Sequence, residues 1–87
     1  MMEPLWDIEY SLEARNYLYD SYPYTEAALI AIEELRFDQD AIPPHGCTQL
    51  ETDVYLCELM GHFVVYRCIP DAKPKPMLWI AIVKPMD

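Results

Sequence analysis

An α+β fold, with a small antiparallel sheet and a helical hairpin packed on one face, is what this sequence predicts, in the order β-α-α-β-β-β. Three observations carry the prediction. Asp53–Leu59 and His62–Ile69 are runs rich in β-branched and aromatic residues that flank Met60-Gly61, and Met77–Val83 is a third such run after Pro76. Runs of this type bounded by Gly and Pro read as strands, and a glycine in the turn supplies positive φ where the chain reverses. Residues 26–37 put Ala28, Ala31, Ile32 and Leu35 on one stripe, widened by Leu29, which is the spacing of a helix with one buried side.

The remaining elements follow in chain order. Leu5-Trp-Asp-Ile-Glu-Tyr10 alternates apolar and acidic residues, so Leu5 or Trp6 with Ile8 and Tyr10 point inward and Asp7 with Glu9 outward. Ser11 is placed to cap a short helix through Tyr19, with Glu13 in its first turn and Leu12, Ala14 and Leu18 toward the core. Pro23 disfavours helix at Tyr22, and Thr25 can cap the second helix, on which Glu33 and Glu34 lie towards water. Asp38 to Thr52, with Pro43-Pro44-His45-Gly46 inside it, reads as a long irregular connection. Lys73-Pro-Lys-Pro76 reads as a stiff exposed loop, since proline cannot donate to a strand ladder. The first strand is expected beside the last, with both helices on one face.

Eighty-seven residues make one domain, 1–87, with 53% apolar content and room for a single core. The longest apolar runs fall far short of a membrane span, and the N-terminus lacks the basic and apolar regions of a secretion signal, so the expected location is the cytoplasm. Fifteen acids against six bases give a net charge of −9, a field that repels phosphate backbones. Residues 1–40 hold ten acids and two bases, so the charge is concentrated on the helical half. That half is either a solvated surface that keeps the protein soluble or an acidic face for a basic partner. A second copy of the chain is a further candidate partner, because a domain this small can finish its sheet edges in a dimer. Cys47, Cys57 and Cys68 contain no Cys-x-x-Cys pair, which argues against a disulfide framework and a structural zinc site. With a two-residue turn at Met60-Gly61, Cys57 falls opposite Val64 and Cys68 opposite Asp53, and both strand cysteines read as buried thiols. No metal site and no cofactor is expected.

Trp6-Asp-Ile-Glu-Tyr-Ser-Leu-Glu-Ala, Leu29-Ile-Ala-Ile-Glu-Glu-Leu and above all Val54-Tyr-Leu-Cys-Glu-Leu-Met-Gly-His-Phe-Val-Val-Tyr-Arg-Cys-Ile-Pro-Asp71 resemble the RelE/ParE toxin superfamily of bacterial toxin–antitoxin modules. Trp79-Ile-Ala-Ile-Val83 resembles the last strand of that family. The resemblance is one of element order and hydrophobic spacing over most of the chain. It implies a small sheet with helices on one face and an open groove on the other. Strand parity then turns Tyr55, Cys57, Leu59, Val64, Tyr66 and Cys68 toward the helices and leaves Leu56, Glu58, Phe63, Val65 and Arg67 to line the groove.

In the ribonuclease members, basic groove residues help cleave messenger RNA in the ribosome. Here Leu56 and Glu58 stand where those toxins carry lysines, Phe63 stands where they carry an arginine, and Pro85 and Met86 meet their terminal basic positions. RNA cleavage of that kind needs cations at the developing phosphorane and groups that move the 2′-hydroxyl proton. The expectation is therefore a toxin-like protein that acts by binding a protein, an antitoxin or a target. One alternative is a ribosome-dependent ribonuclease with an atypical set, for which Glu58, His62 and Arg67 are the candidate catalytic residues. Another is an acidic interaction or inhibitor protein working through Glu33 and Glu34. Arg67 either pairs with Glu58 or meets an anion or partner, and an uncovered Phe63 and Val65 would mark a protein interface.

Overall fold

In the computed structural model, which describes residues 3–39, 41 and 47–86, Met60 and Gly61 both hold positive φ, 47° and 79°. Two successive left-handed residues match the right-handed twist of the strands they join, so the hairpin closes tightly and its register is set. Its strands are the third and fourth of five among the described residues. The order along the chain is β1 (Asp7–Tyr10), α1 (Leu12–Asp20), α2 (Glu26–Glu34), a 3₁₀ turn (Leu35–Phe37), β2 (Cys47–Glu51), β3 (Val54–Leu59), β4 (His62–Ile69) and β5 (Met77–Pro85). The sheet runs β1-β5-β4-β3-β2, with β1 parallel to β5 and every other pair antiparallel.

The first strand does lie beside the last, but the sheet is mixed and has one strand more than the sequence pattern indicates. A chain that leaves β1 and crosses the sheet through two helices can return to either edge. It returns at the far edge and steps back by hairpins, so β5 arrives pointing the same way as β1. The extra strand, β2, occupies part of the stretch expected to be irregular; Pro43-Pro44-His45-Gly46 lies outside the described residues. Four of the five residues of β2 are exposed, so it carries no buried stripe and is held by its ladder to β3.

Cys47 lies directly opposite Cys57 across that ladder, with Cα atoms 4.1 Å apart, and the two form a disulfide. This corrects the expectation of a buried thiol at Cys57. Once Cys47 belongs to a strand, it becomes the cross-strand neighbour of Cys57, a position that Cys68 does not hold. Cys68 is a free, buried thiol, and its amide donates to the Asp53 carbonyl.

Both helices pack on the sheet face that carries Cys57, Val64, Tyr66, Leu78, Ile80 and Val83. Ala14 and Leu18 of α1 and Ile32 of α2, with Leu35 and Trp6, complete one continuous core. Full burial of a side chain such as Leu78 or Ile80 contributes about 1.5–3 kcal/mol. Of the alternatives Leu5 and Trp6, Trp6 is the buried one and Leu5 is 50% exposed; Leu12, expected inward, is instead 64% exposed, because the helical face is already filled by Trp6, Ala14 and Leu18.

Ser11 caps α1 as expected, accepting from the Ala14 amide at 3.0 Å, and its own hydroxyl donates to the Ala81 carbonyl. Ala81 is the extra residue of a bulge opposite Val65 and Tyr66, so one serine satisfies both a helix end and a ladder irregularity. Thr25 holds the N-cap position of α2 as expected but makes no side-chain cap bond; its buried hydroxyl donates to the Leu18 carbonyl and ties the two helices together. The α-helix stops at Glu34, and the rest of the expected helix is the 3₁₀ turn. Its end is held by Arg36, whose carbonyl accepts from the Leu5 and Trp6 amides, and by the Trp6 indole, which donates to the Asp38 carbonyl.

Candidate functional site

The face of the sheet opposite the helices is the candidate site. Strand alternation sends every second side chain there, and the ladder registers assemble those side chains into rows. The middle row is Leu56, Val65 and Ile82, directly opposed across three neighbouring strands. Two strand spacings make it about 10 Å wide. On one side of it lies the row Glu58, Phe63, Lys84; on the other lies Glu51, Val54, Arg67, Trp79, Glu9. Leu56, Val65, Ile82, Val54 and Trp79 are half-buried by their own neighbours within the sheet, and Phe63 is 36% exposed. Both helices and the 3₁₀ turn lie on the other side.

The result is an apolar centre with charged margins. Leu56, Glu58 and Phe63, with Cys47 and Thr48 from β2, border a shallow depression of about 350 Å³ at the β2 edge. Arg67 does not meet Glu58. It pairs with Glu51 at 3.5 Å, two strands over on β2, in an exposed contact that passes across β3. Glu58 and Arg67 belong to rows four residues apart, about 13 Å of strand.

His62 belongs to the opposite layer. It is 2% exposed beneath α1 and the α1–α2 turn, with the Tyr17 and Tyr24 rings 5.7 and 5.2 Å away. Its Nδ1 lies 3.2 Å from the Met60 carbonyl, which can only accept, so Nδ1 carries the hydrogen. In the neutral ring Nε2 then accepts from the Tyr17 hydroxyl at 3.0 Å. Glu58, His62 and Arg67 therefore do not converge: one faces the inner layer, and the other two stand at separate ends of the outer one. Acid–base work at a shared substrate atom needs groups within hydrogen-bond reach of it.

Three further ionisable side chains are held toward their protonated forms. Burial, with the Asp53 carboxylate second, pushes the Cys68 thiol up to about 11, away from the thiolate that a nucleophile needs. Burial also raises Tyr66, whose hydroxyl donates to the Ala41 carbonyl. Tyr10 is raised by burial and then by its hydrogen bond to the Glu33 carboxylate. Glu33 also meets Arg36 at 3.1 Å, so of the two acids expected to face water on α2 only Glu34 is exposed. Among the described residues no group of three or more His, Cys, Asp or Glu side chains is arranged to hold a metal ion, and no helix is long and apolar enough to cross a membrane.

The sequence pattern put Leu56, Glu58, Phe63, Val65 and Arg67 on this face, and all five are there. It did not assign Ile82, because the Ala81 bulge inverts the alternation along β5. Val54, Lys84 and Glu51 were equally unassigned, although the Val54–Arg67 pairing contained the signal for the first of them. No family model, no curated protein and no solved structure matches the chain.

Proposed function

We propose that this protein is a RelE/ParE-like toxin relative that acts by protein contact and not by RNA cleavage, with the open sheet face as its contact surface. The observation that carries the reading is the uncovered row Leu56–Val65–Ile82, extended by Phe63, Val54 and Trp79. A contiguous apolar patch with a polar rim is how a soluble domain presents a protein interface. The row is about as wide as an α-helix, so an amphipathic helix laid across β3, β4 and β5 covers it. The margin holds Glu58, Glu9 and Asp7 against Lys84, with Arg67 already engaged by Glu51, so the fitting segment carries apolar residues flanked by basic ones. An antitoxin is such a partner. Against nuclease chemistry stand the apolar centre of the face and the separation of Glu58, His62 and Arg67. A cytoplasmic location belongs to this reading; in a reducing cytosol Cys47 and Cys57 would be two facing thiols.

The test is inducible expression in a bacterium with and without the product of the adjacent reading frame. Growth arrest relieved by that product, and relief lost when Val65→Lys or Leu56→Lys is introduced, is the expected result. Arrest accompanied by new messenger RNA 5′ ends would replace this reading with the ribonuclease one. Absence of both arrest and a complex would remove the toxin assignment.

A further inference from the structure

The layer opposite the sheet face holds a second concavity. Between α1, α2 and the end of β1 runs a groove of about 370 Å³, lined by Tyr10, Arg15, Leu18, Tyr19, Tyr22 and Leu29. That volume is in the range of small-molecule sites. Glu26, Leu29 and Glu33 lie on one stripe of α2, and the two acids are already used. Tyr22 donates to Glu26 at 2.8 Å, and Tyr10 donates to Glu33, which Arg36 also contacts. Two tyrosines of the lining thus already have carboxylate partners, and the lining also holds the apolar pair Leu18 and Leu29. Arg15 is the charged group of the lining. Among the described residues it makes no ion pair. A guanidinium at the wall of an aromatic, apolar groove matches one ligand class well, because its fork meets a carboxylate with two parallel hydrogen bonds.

We propose that this groove binds a small organic monocarboxylate with an aromatic or similarly flat apolar body. The body lies against Leu18, Leu29 and the tyrosine rings, and the carboxylate meets Arg15. The net charge of −9 does not forbid an anion there: the nearby Glu26 and Glu33 carboxylates already accept from lining tyrosines, Glu33 from Arg36 as well, and charges more than about 8–10 Å away are largely screened at physiological salt. The site is on the helical side of the sheet and stands independently of the toxin reading.

The test uses 2-naphthoate and its neutral counterpart 2-naphthylmethanol, titrated into the ¹⁵N-labelled full chain and followed by amide shifts. The expected result is saturable binding of 2-naphthoate with shifts centred on Tyr10, Arg15, Leu18 and Leu29, and binding of the alcohol about tenfold weaker. Arg15→Gln is expected to bring the two probes to equal affinity. Tyr19→Ala, at a residue 74% exposed and so outside the core, is expected to weaken both. Equal affinity of the two probes for the native chain, unchanged discrimination in Arg15→Gln, shifts centred on the sheet face, or no saturation at millimolar probe would each overturn the proposal.

Discussion

Reduction of the Cys47–Cys57 bond is expected to lower stability by about 2.7 kcal/mol at 25 °C. The bond joins residues 10 positions apart, and the loop-closure entropy released to the unfolded chain at that separation gives about this value. Little in the folded state compensates for its loss at the β2 edge. β2 has four exposed residues of five, and the ion pair of Glu51 with Arg67 is an exposed contact worth at most about 1 kcal/mol. For a domain of this size each kcal/mol moves the midpoint by about 4–8 °C, so reduction should lower Tm by roughly 10–20 °C. The assay is a circular-dichroism melt with and without a phosphine reductant in the Cys68→Ala background, where the bonded pair alone can respond. A thiol titration under denaturing conditions accompanies each melt. Melts that superimpose while the titration reports complete reduction would refute the reasoning. So would free thiols at both Cys47 and Cys57 in protein purified under oxidising conditions, because the cross-strand register would then not produce the bond.

Two further perturbations probe the core. Tyr66→Phe keeps the ring and removes the hydroxyl that donates to the Ala41 carbonyl, so it should cost about 1–3 kcal/mol by leaving that buried acceptor unpaired; urea unfolding measures it, and a loss below about 0.5 kcal/mol would mean that water replaces the bond. Raised pKa values at Cys68, Tyr66 and Tyr10 make the folded state hold protons that the unfolded chain releases first. Their stabilisation is therefore complete below pH 9 and declines as pH rises, the Cys68 part between about 9 and about 11. Unfolding midpoints measured across that window should fall for the native chain and fall less steeply for Cys68→Ala, and a flat profile would contradict the buried state of the thiol.

How much of this was legible in the sequence depends on how far each element advertises a buried side. β3 and β4 did so strongly: a two-residue turn sets their register, and parity then assigns each side chain from Val54 to Cys68. The helix caps were half legible. Ser11 behaves as its position suggests, whereas Thr25 has the same chemistry but spends its hydroxyl on Leu18, a choice made by the packing of α1 against α2. β2 was not legible, since Cys47-Thr-Gln-Leu-Glu51 has neither a periodic apolar pattern nor a burial requirement. That single omission hid the disulfide on the helical side of the sheet and, on the candidate face, the Glu51 partner of Arg67. The bulge at Ala81 hid Ile82 for a different reason, because alternation cannot register an inserted residue until the opposite strand is known.

The two layers use their polar groups in opposite ways, and this bears on where function lies. On the helical side Thr25, His62, Tyr66 and the Trp6 indole each have a partner within the chain, and among the described residues no buried side-chain nitrogen or oxygen lacks one. That layer is complete in itself except where the interhelical groove opens. The sheet face leaves apolar carbon uncovered and charges at its margin. A partner covering about 400 Å² of apolar surface there would gain roughly 10 kcal/mol. Association itself costs about 4–15 kcal/mol, so apolar cover alone yields marginal binding. On the proposed reading the decision would fall to the margin, where Glu58, Glu9 and Lys84 would select a partner by charge and set how fast it arrives. A basic amphipathic segment would satisfy both requirements; an acidic one would satisfy only the first and be turned away.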